Sequence, residues 1–146
     1  MLIGIDPLLG PDALHLLRAM GHGDELVLAD ANVPAARVAK RLVRLDGIPV
    51  LRALEAVLSL LPLDEAEPHP VLGMQPHAPE LGAALAEMQS VVDRRAPQGG
   101  KIALLERHAF YERATQAFGV IITGERRFYA NLILRKGVIP MTGAPA

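Results

Sequence analysis

The chain has 146 residues, 51% of them hydrophobic, and a formal net charge of −1 from 15 basic and 16 acidic side chains. That is one ordinary domain with enough apolar content for a sizeable core, which excludes a disordered chain; its interspersed charges lack the basic footprint of a nucleic-acid binder. No apolar run approaches the ~18 residues of a membrane span, the opening MLIGIDPLLG lacks the basic region of a signal peptide, and the absence of cysteine rules out disulfides, thiolate zinc sites and thiol nucleophiles.

In chain order, Pro11 opens a predicted helix with Leu14, Leu17 and Met20 on one face, and Gly21 stands where a C′ residue would stop it. Residues 25–30 are short, apolar and β-capable, as a buried strand is. Pro34 begins a helical turn running to about Lys40, and residues 41–44 form a weak strand closed by the Asp46-Gly47 turn signal. Residues 49–61 predict a helix with Val50, Leu54, Val57, Leu58 and Leu61 inward and Arg52 and Glu55 outward. Residues 71–74 are a strand in proline-rich surroundings, and residues 81–92 repeat apolar side chains at i, i+3, i+4 and i+7. After a loop at 97–100 come a strand at 102–105 and a helix at 107–117, with Phe110, Ala114 and Ala117 in one stripe. Strands at 119–123 and 129–134 are joined through Gly124-Glu125. The expected fold is one α/β domain over residues 1–140, helices on both faces of a sheet, with 141–146 a flexible tail.

The candidate chemistry sits near strand ends. His22 lies between two glycines; Gly21 is expected to supply a positive φ and Gly23 to leave room beside the ring. An imidazole there could donate and accept protons, with Asp24 as its orienter; the alternative is a helix stop followed by a surface histidine. Asp30 closes an apolar strand without an obvious helix to cap. A metal site from His22, Asp24, Glu25 and Asp30 is not expected, because successive strand residues point to opposite faces and no His-x-x-x-His pair exists. Arg107 offers a planar fork of donors, unless Glu106, Glu112 or Glu125 holds it in an ion pair. Tyr129 and Asn131, two apart in a predicted strand, would share a face and suit a polyhydroxylated ligand. The other histidines (His15, His69, His77 and His108) have no such company, and Arg126-Arg127 and Arg135-Lys136 read as solvated surface charge. All five aromatics fall between residues 110 and 129, as core, interface or ligand platform. Ser59 and Ser90 are mid-helix and outside any Gly-x-Ser-x-Gly elbow, and no phosphate loop or dinucleotide fingerprint is present.

Three segments in order, MGHGDELVLADAN, ERHAFYERATQAFGVIITGE and FYANLILRKGV, resemble the L-fucose mutarotase and D-ribose pyranase family, its fucose branch in particular. The resemblance runs nearly end to end and is weakest between about residues 65 and 100. It implies an α/β/α sandwich around a mostly parallel sheet, a homo-oligomer, with decamers among bacterial members, and a sugar site at a subunit contact. It also implies a cytoplasmic enzyme that interconverts sugar anomers without a cofactor or metal, and with no membrane or nucleic-acid partner. Carried over by motif, the proton-donor histidine falls on His22, and the sugar-binding groups on Asp30, Arg107, Tyr129, Ala130 and Asn131. The resemblance favours L-fucose as the monosaccharide; Ala130, where fucose enzymes often have glycine and ribose enzymes alanine, keeps D-ribose in view. A pyranase interconverting pyranose and furanose forms and a non-catalytic sugar-binding partner are the other readings.

Overall fold

The computed structural model describes residues 1–141, so the expected tail lies, beyond Met141, outside the described residues. The strands are β1 (Glu25–Ala29), β2 (Leu42–Leu45), β3 (Val71–Met74), β4 (Ala103–Leu105), β5 (Gly119–Thr123) and β6 (Leu132–Arg135). The α-helices are α1 (Pro11–Ala19), α2 (Ala35–Val38), α3 (Val50–Leu58), α4 (Ala83–Arg95) and α5 (Arg107–Gln116). One sheet holds all six strands in the order β2-β5-β1-β6-β3-β4. The β2–β5, β5–β1 and β3–β4 pairs are parallel, whereas β6 runs antiparallel to both β1 and β3. The expected sandwich on a mostly parallel sheet is therefore present, with β6 reversed.

The central strands are buried on both faces, which is why β1, β3 and β5 read as continuous apolar runs rather than as alternating ones. Period-two alternation sends Leu26, Leu28, Ile121, Leu132 and Leu134 into the layer under α1, α3 and α4. It sends Val27, Ala29, Val120, Ile122 and Ile133 into the layer under α2 and α5, where Phe110 and Ala114 meet them. Within α1 the buried stripe is Ala13, Leu16 and Leu17; Leu14, expected inward, is half-buried. The helix α4 starts at Ala83, because Leu81 belongs to a 3₁₀ turn opened by Pro79.

Two expectations need correction. The last strand begins at Leu132, and Tyr129 precedes it with φ 59°, a left-handed conformation that a strand cannot contain. Tyr129 and Asn131 thus do not share a face by strand alternation. Arg127, Arg135 and Lys136 are also not merely solvated. Arg127 binds Glu125 at 3.0 Å, Arg135 Nε donates to Asp64 at 3.0 Å, and Lys136 Nζ donates to the carbonyls of Leu17 and Met20. That last position, at the C-terminus of α1, is where a helix dipole favours a cation.

Candidate functional site

The carboxyl ends of β1, β3 and β4 lie at one edge of the sheet, and because β6 is reversed its approach arrives at the same edge. Asp30 follows β1, His77 comes shortly after β3, Arg107 follows β4, and Tyr129-Ala130-Asn131 lead into β6. Open α/β sheets bind ligands at this edge. A hollow of about 280 Å³ there is lined by Asp30, Asn32, Met74, His77, Arg107, Tyr111, Phe128, Tyr129 and Asn131. A second hollow of about 400 Å³ shares His77, Arg107 and Tyr129 and adds Gln75, Pro76 and Glu106.

Asp30 and Asn131 hold each other reciprocally. The Asp30 backbone N–H donates to Asn131 Oδ1 at 2.7 Å, and Asn131 Nδ2 donates to Asp30 Oδ2 at 2.9 Å. The Asn32 N–H donates to Asp30 Oδ1 at 2.8 Å, an Asx turn that fixes the carboxylate just past the strand. Burial pushes the Asp30 carboxyl up from its ordinary range, against hydrogen bonds from Asn32, Asn131 and the Ala130 backbone that favour its charged form. A carboxylate held this way at the edge of a low-dielectric interior is a strong acceptor for ligand hydroxyls. Ala130 is fully buried and contributes its backbone.

Tyr129 keeps a left-handed backbone that costs a non-glycine residue roughly 1–2 kcal/mol. Strain of this kind concentrates at ligand clamps, and here it turns the phenol toward the hollow, where Tyr129 Oη lies 2.5 Å from His77 Nδ1. Arg107 is the first residue of α5 and is exposed. Glu106 directs its carboxylate to the His108 and Ala109 amides as the helix cap, and Glu125 is engaged by Arg127, so neither holds Arg107. A cation at the positive end of a helix is unfavourable, so helix stability does not explain its place. Of the clustered aromatics, Phe110 is core, Tyr111, Phe128 and Tyr129 line the hollow, and Phe118 lies 3.9 Å beneath the Arg41 guanidinium.

His22 does not join this group. It sits before β1, at the opposite edge, and the six residue steps from Asp24 to Asp30 span roughly 20 Å. Its Nε2 lies 3.3 Å from Oδ2 of the buried Asp64, which Arg135 also holds; that guanidinium keeps the Asp64 carboxyl below the usual carboxylate range. The expected orienter, Asp24, does something else, since its Oδ2 accepts the Gly21 N–H at 2.7 Å. The glycine roles also differ from the expectation, with Gly21 outside the positive-φ region. Gly23 carries the positive φ, 85°, and a Cβ there would lie 3.2 Å from Arg135 Nη2, so it makes room for Arg135 rather than for a ligand. The end of β6 clamps this turn, with Gly23 N–H donating to the Lys136 carbonyl and Lys136 N–H to the Asp24 carbonyl. Asp64 and His77 are the two residues that sequence reasoning missed; neither falls in a periodic pattern or beside its partner in the chain.

The RbsD / FucU transport protein family matches residues 3–139. The chain belongs to this family. Fucose mutarotase from Homo sapiens is 45% identical, over 94% of each chain. Among solved structures, the fucose mutarotase from Streptococcus pneumoniae in complex with L-fucose superposes with a TM-score of 0.88 at 36% identity, covering 95% of this chain and 100% of that one. The RbsD of Bacillus subtilis complexed with D-ribose gives a TM-score of 0.65 at 26% identity, covering 90% and 95%. Within the RbsD / FucU family this chain is thus nearer in sequence to both mutarotases, and nearer in fold to the Streptococcus pneumoniae one, than to that RbsD.

Proposed function

We propose that the protein is a mutarotase that interconverts the anomers of L-fucose by acid–base-assisted ring opening, without a cofactor. The observation that carries this reading is the convergence of Asp30, Arg107, Tyr129 and Asn131 on one open hollow, in a fold whose fucose-bound relative is so similar. Asp30 accepts sugar hydroxyls, Arg107 donates a planar pair of N–H groups, and Tyr129 and Asn131 fix the ring's orientation. His22 protonates the ring oxygen. Ring opening leaves an aldehyde, rotation about C1–C2 exposes its other face, and closure yields the second anomer. A positioned acid–base group contributes roughly 10²–10⁴-fold.

His22 acts in the hollow of a second copy of the chain, which makes the enzyme a homo-oligomer, a decamer in keeping with the bacterial family habit. What supports this is the sheet's length between His22 and Asp30, too long for both to reach one monosaccharide, together with exposed Phe128 at the hollow and exposed Ile3, Val138 and Ile139 elsewhere. In this arrangement Asp64 is the positioning residue for His22. A cytoplasmic location belongs to the same reading, on the cysteine-free composition; among the described residues no helix is long and apolar enough to cross a membrane.

Saturation-transfer NMR on L-fucose and D-ribose tests the function. The wild type exchanges L-fucose anomers faster than the buffer blank, and His22→Ala returns exchange to the blank while still binding sugar. Acceleration of pyranose–furanose exchange in D-ribose alone would make the protein a pyranase, and binding without acceleration a sugar-binding partner.

A further inference from the structure

Ring opening moves two protons, one onto the ring oxygen and one off the anomeric hydroxyl, and His22 accounts only for the first. A second imidazole stands at the hollow. His77 Nδ1 lies 2.5 Å from Tyr129 Oη, and the two rings meet edge-on with centroids 5.7 Å apart. Tyr129 in turn borders the hollow beside Asp30 and Asn131. A phenol that borders the ligand space and lies within hydrogen-bond distance of an imidazole nitrogen is a two-step proton path. We propose that His77 accepts, through the Tyr129 hydroxyl, the proton that leaves the anomeric hydroxyl. The inference rests on the mutarotase reading.

In the step, the anomeric O–H gives its proton to Tyr129 Oη while Tyr129 passes its own to His77 Nδ1. The C1=O1 bond forms and the C1–O5 bond breaks. The released electron pair goes to O5, which takes the proton of His22 from a second copy. On closure both protons return by the same routes, so nothing is consumed. Tyr129 is the residue that takes the sugar's proton; His77, beside it on the wall of the hollow, is a positioning residue and proton store. The titratable and charged groups around His77 are Glu106 and Arg107 at the start of α5, Tyr129 from the loop before β6, and Asp30 and Tyr111 across the hollow. Asp30 serves the sugar hydroxyls instead: each of its carboxylate oxygens accepts one hydrogen bond, from Asn32 or Asn131, and keeps a lone pair for the ligand. His77 is exposed, so its substitution leaves the core intact.

The test is the pH profile of L-fucose anomer exchange for wild type, His77→Val, His77→Asn, Tyr129→Phe and the Val/Phe double variant. His77→Val is expected to slow exchange about 10²-fold with sugar affinity unchanged. It should also change the shape of the pH profile, which a merely structural substitution would leave in place. His77→Asn, able to bond Tyr129 but not to store a proton, should be no faster. The double variant should be no slower than Tyr129→Phe alone, the mark of residues acting as one unit. A His77→Asn enzyme at the wild-type rate, or a His77→Val enzyme with unchanged rate and profile, overturns the inference while leaving the mutarotase reading in place. A wild-type protein that does not accelerate exchange overturns both.

Discussion

Arg107 occupies the first position of α5, at the positive end of the helix dipole, with its guanidinium exposed beside the hollow. On the proposed reading, a residue placed against local stability in this way serves the ligand. Arg107→Ala should therefore leave Tm unchanged or slightly raised while weakening sugar binding. Arg107→Lys keeps the charge but loses the planar fork, so the KM for L-fucose should rise about tenfold, equivalent to about 1.4 kcal/mol. At the other edge, Asp64→Asn removes the carboxylate that His22 faces at 3.3 Å. Exchange should fall roughly 10²-fold with binding retained, measured by anomer-exchange NMR beside a sugar titration. Arg107, Asp30 and Asn131 were legible in the sequence because each is a polar type in a place where local structure gives it no work. Asp64 and His77 were not, because their partners reach them only through tertiary structure, Tyr129 being 52 residues from His77.

The segment from Gly124 to Asn131 decides where Tyr129 and Asn131 stand beside the hollow, ahead of β6. Gly124 begins it against the β2–α3 turn so closely that an added Cβ would lie 2.5 Å from the Gly47 nitrogen. Gly124→Ala must push these two backbones apart, at roughly 1–3 kcal/mol. Thermal melts should show a Tm lower by several degrees, and titration a weaker sugar complex, because Tyr129 and Asn131 move with the loop. Sequence reasoning located the joint at Gly124-Glu125 but started β6 too early. Tyr129 through Leu134 looks like an uninterrupted β-capable run, and the left-handed Tyr129 breaks it where β-propensity alone gives no warning. Helix and strand identities elsewhere were legible from periodicity, since burial on one stripe or on both faces leaves its mark on the sequence; the strand order was not, because β6 slots between β1 and β3 through pairings that no local pattern encodes.

Across the whole molecule, ion pairs make the fold sensitive to acid. The Arg52 guanidinium beside Asp6, the Arg135 guanidinium beside Asp64 and the Arg127 guanidinium beside Glu125 each hold a carboxyl below its ordinary range. A depressed folded-state pKa contributes stability that is complete above the unfolded value, about pH 4, and is lost as pH falls through the folded one. Asp30, raised by burial, has the opposite sign. Tm is thus expected to be flat above about pH 5 and to fall below about pH 4, a fall that Asp64→Asn should blunt. The same sheet that spans the core also separates His22 at one edge from Asp30, Arg107, Tyr129 and Asn131 at the other. The central claim, a sugar site shared between two copies, is tested most directly by mixing two inactive variants. His22→Ala and Asp30→Ala subunits, each without anomer exchange, are combined in equal amounts under conditions of subunit exchange. A shared site predicts recovery of about one quarter of the wild-type rate, the fraction of sites that draw an intact residue from each copy. A mixture that stays inactive, although mass measurements show mixed oligomers, would contradict it.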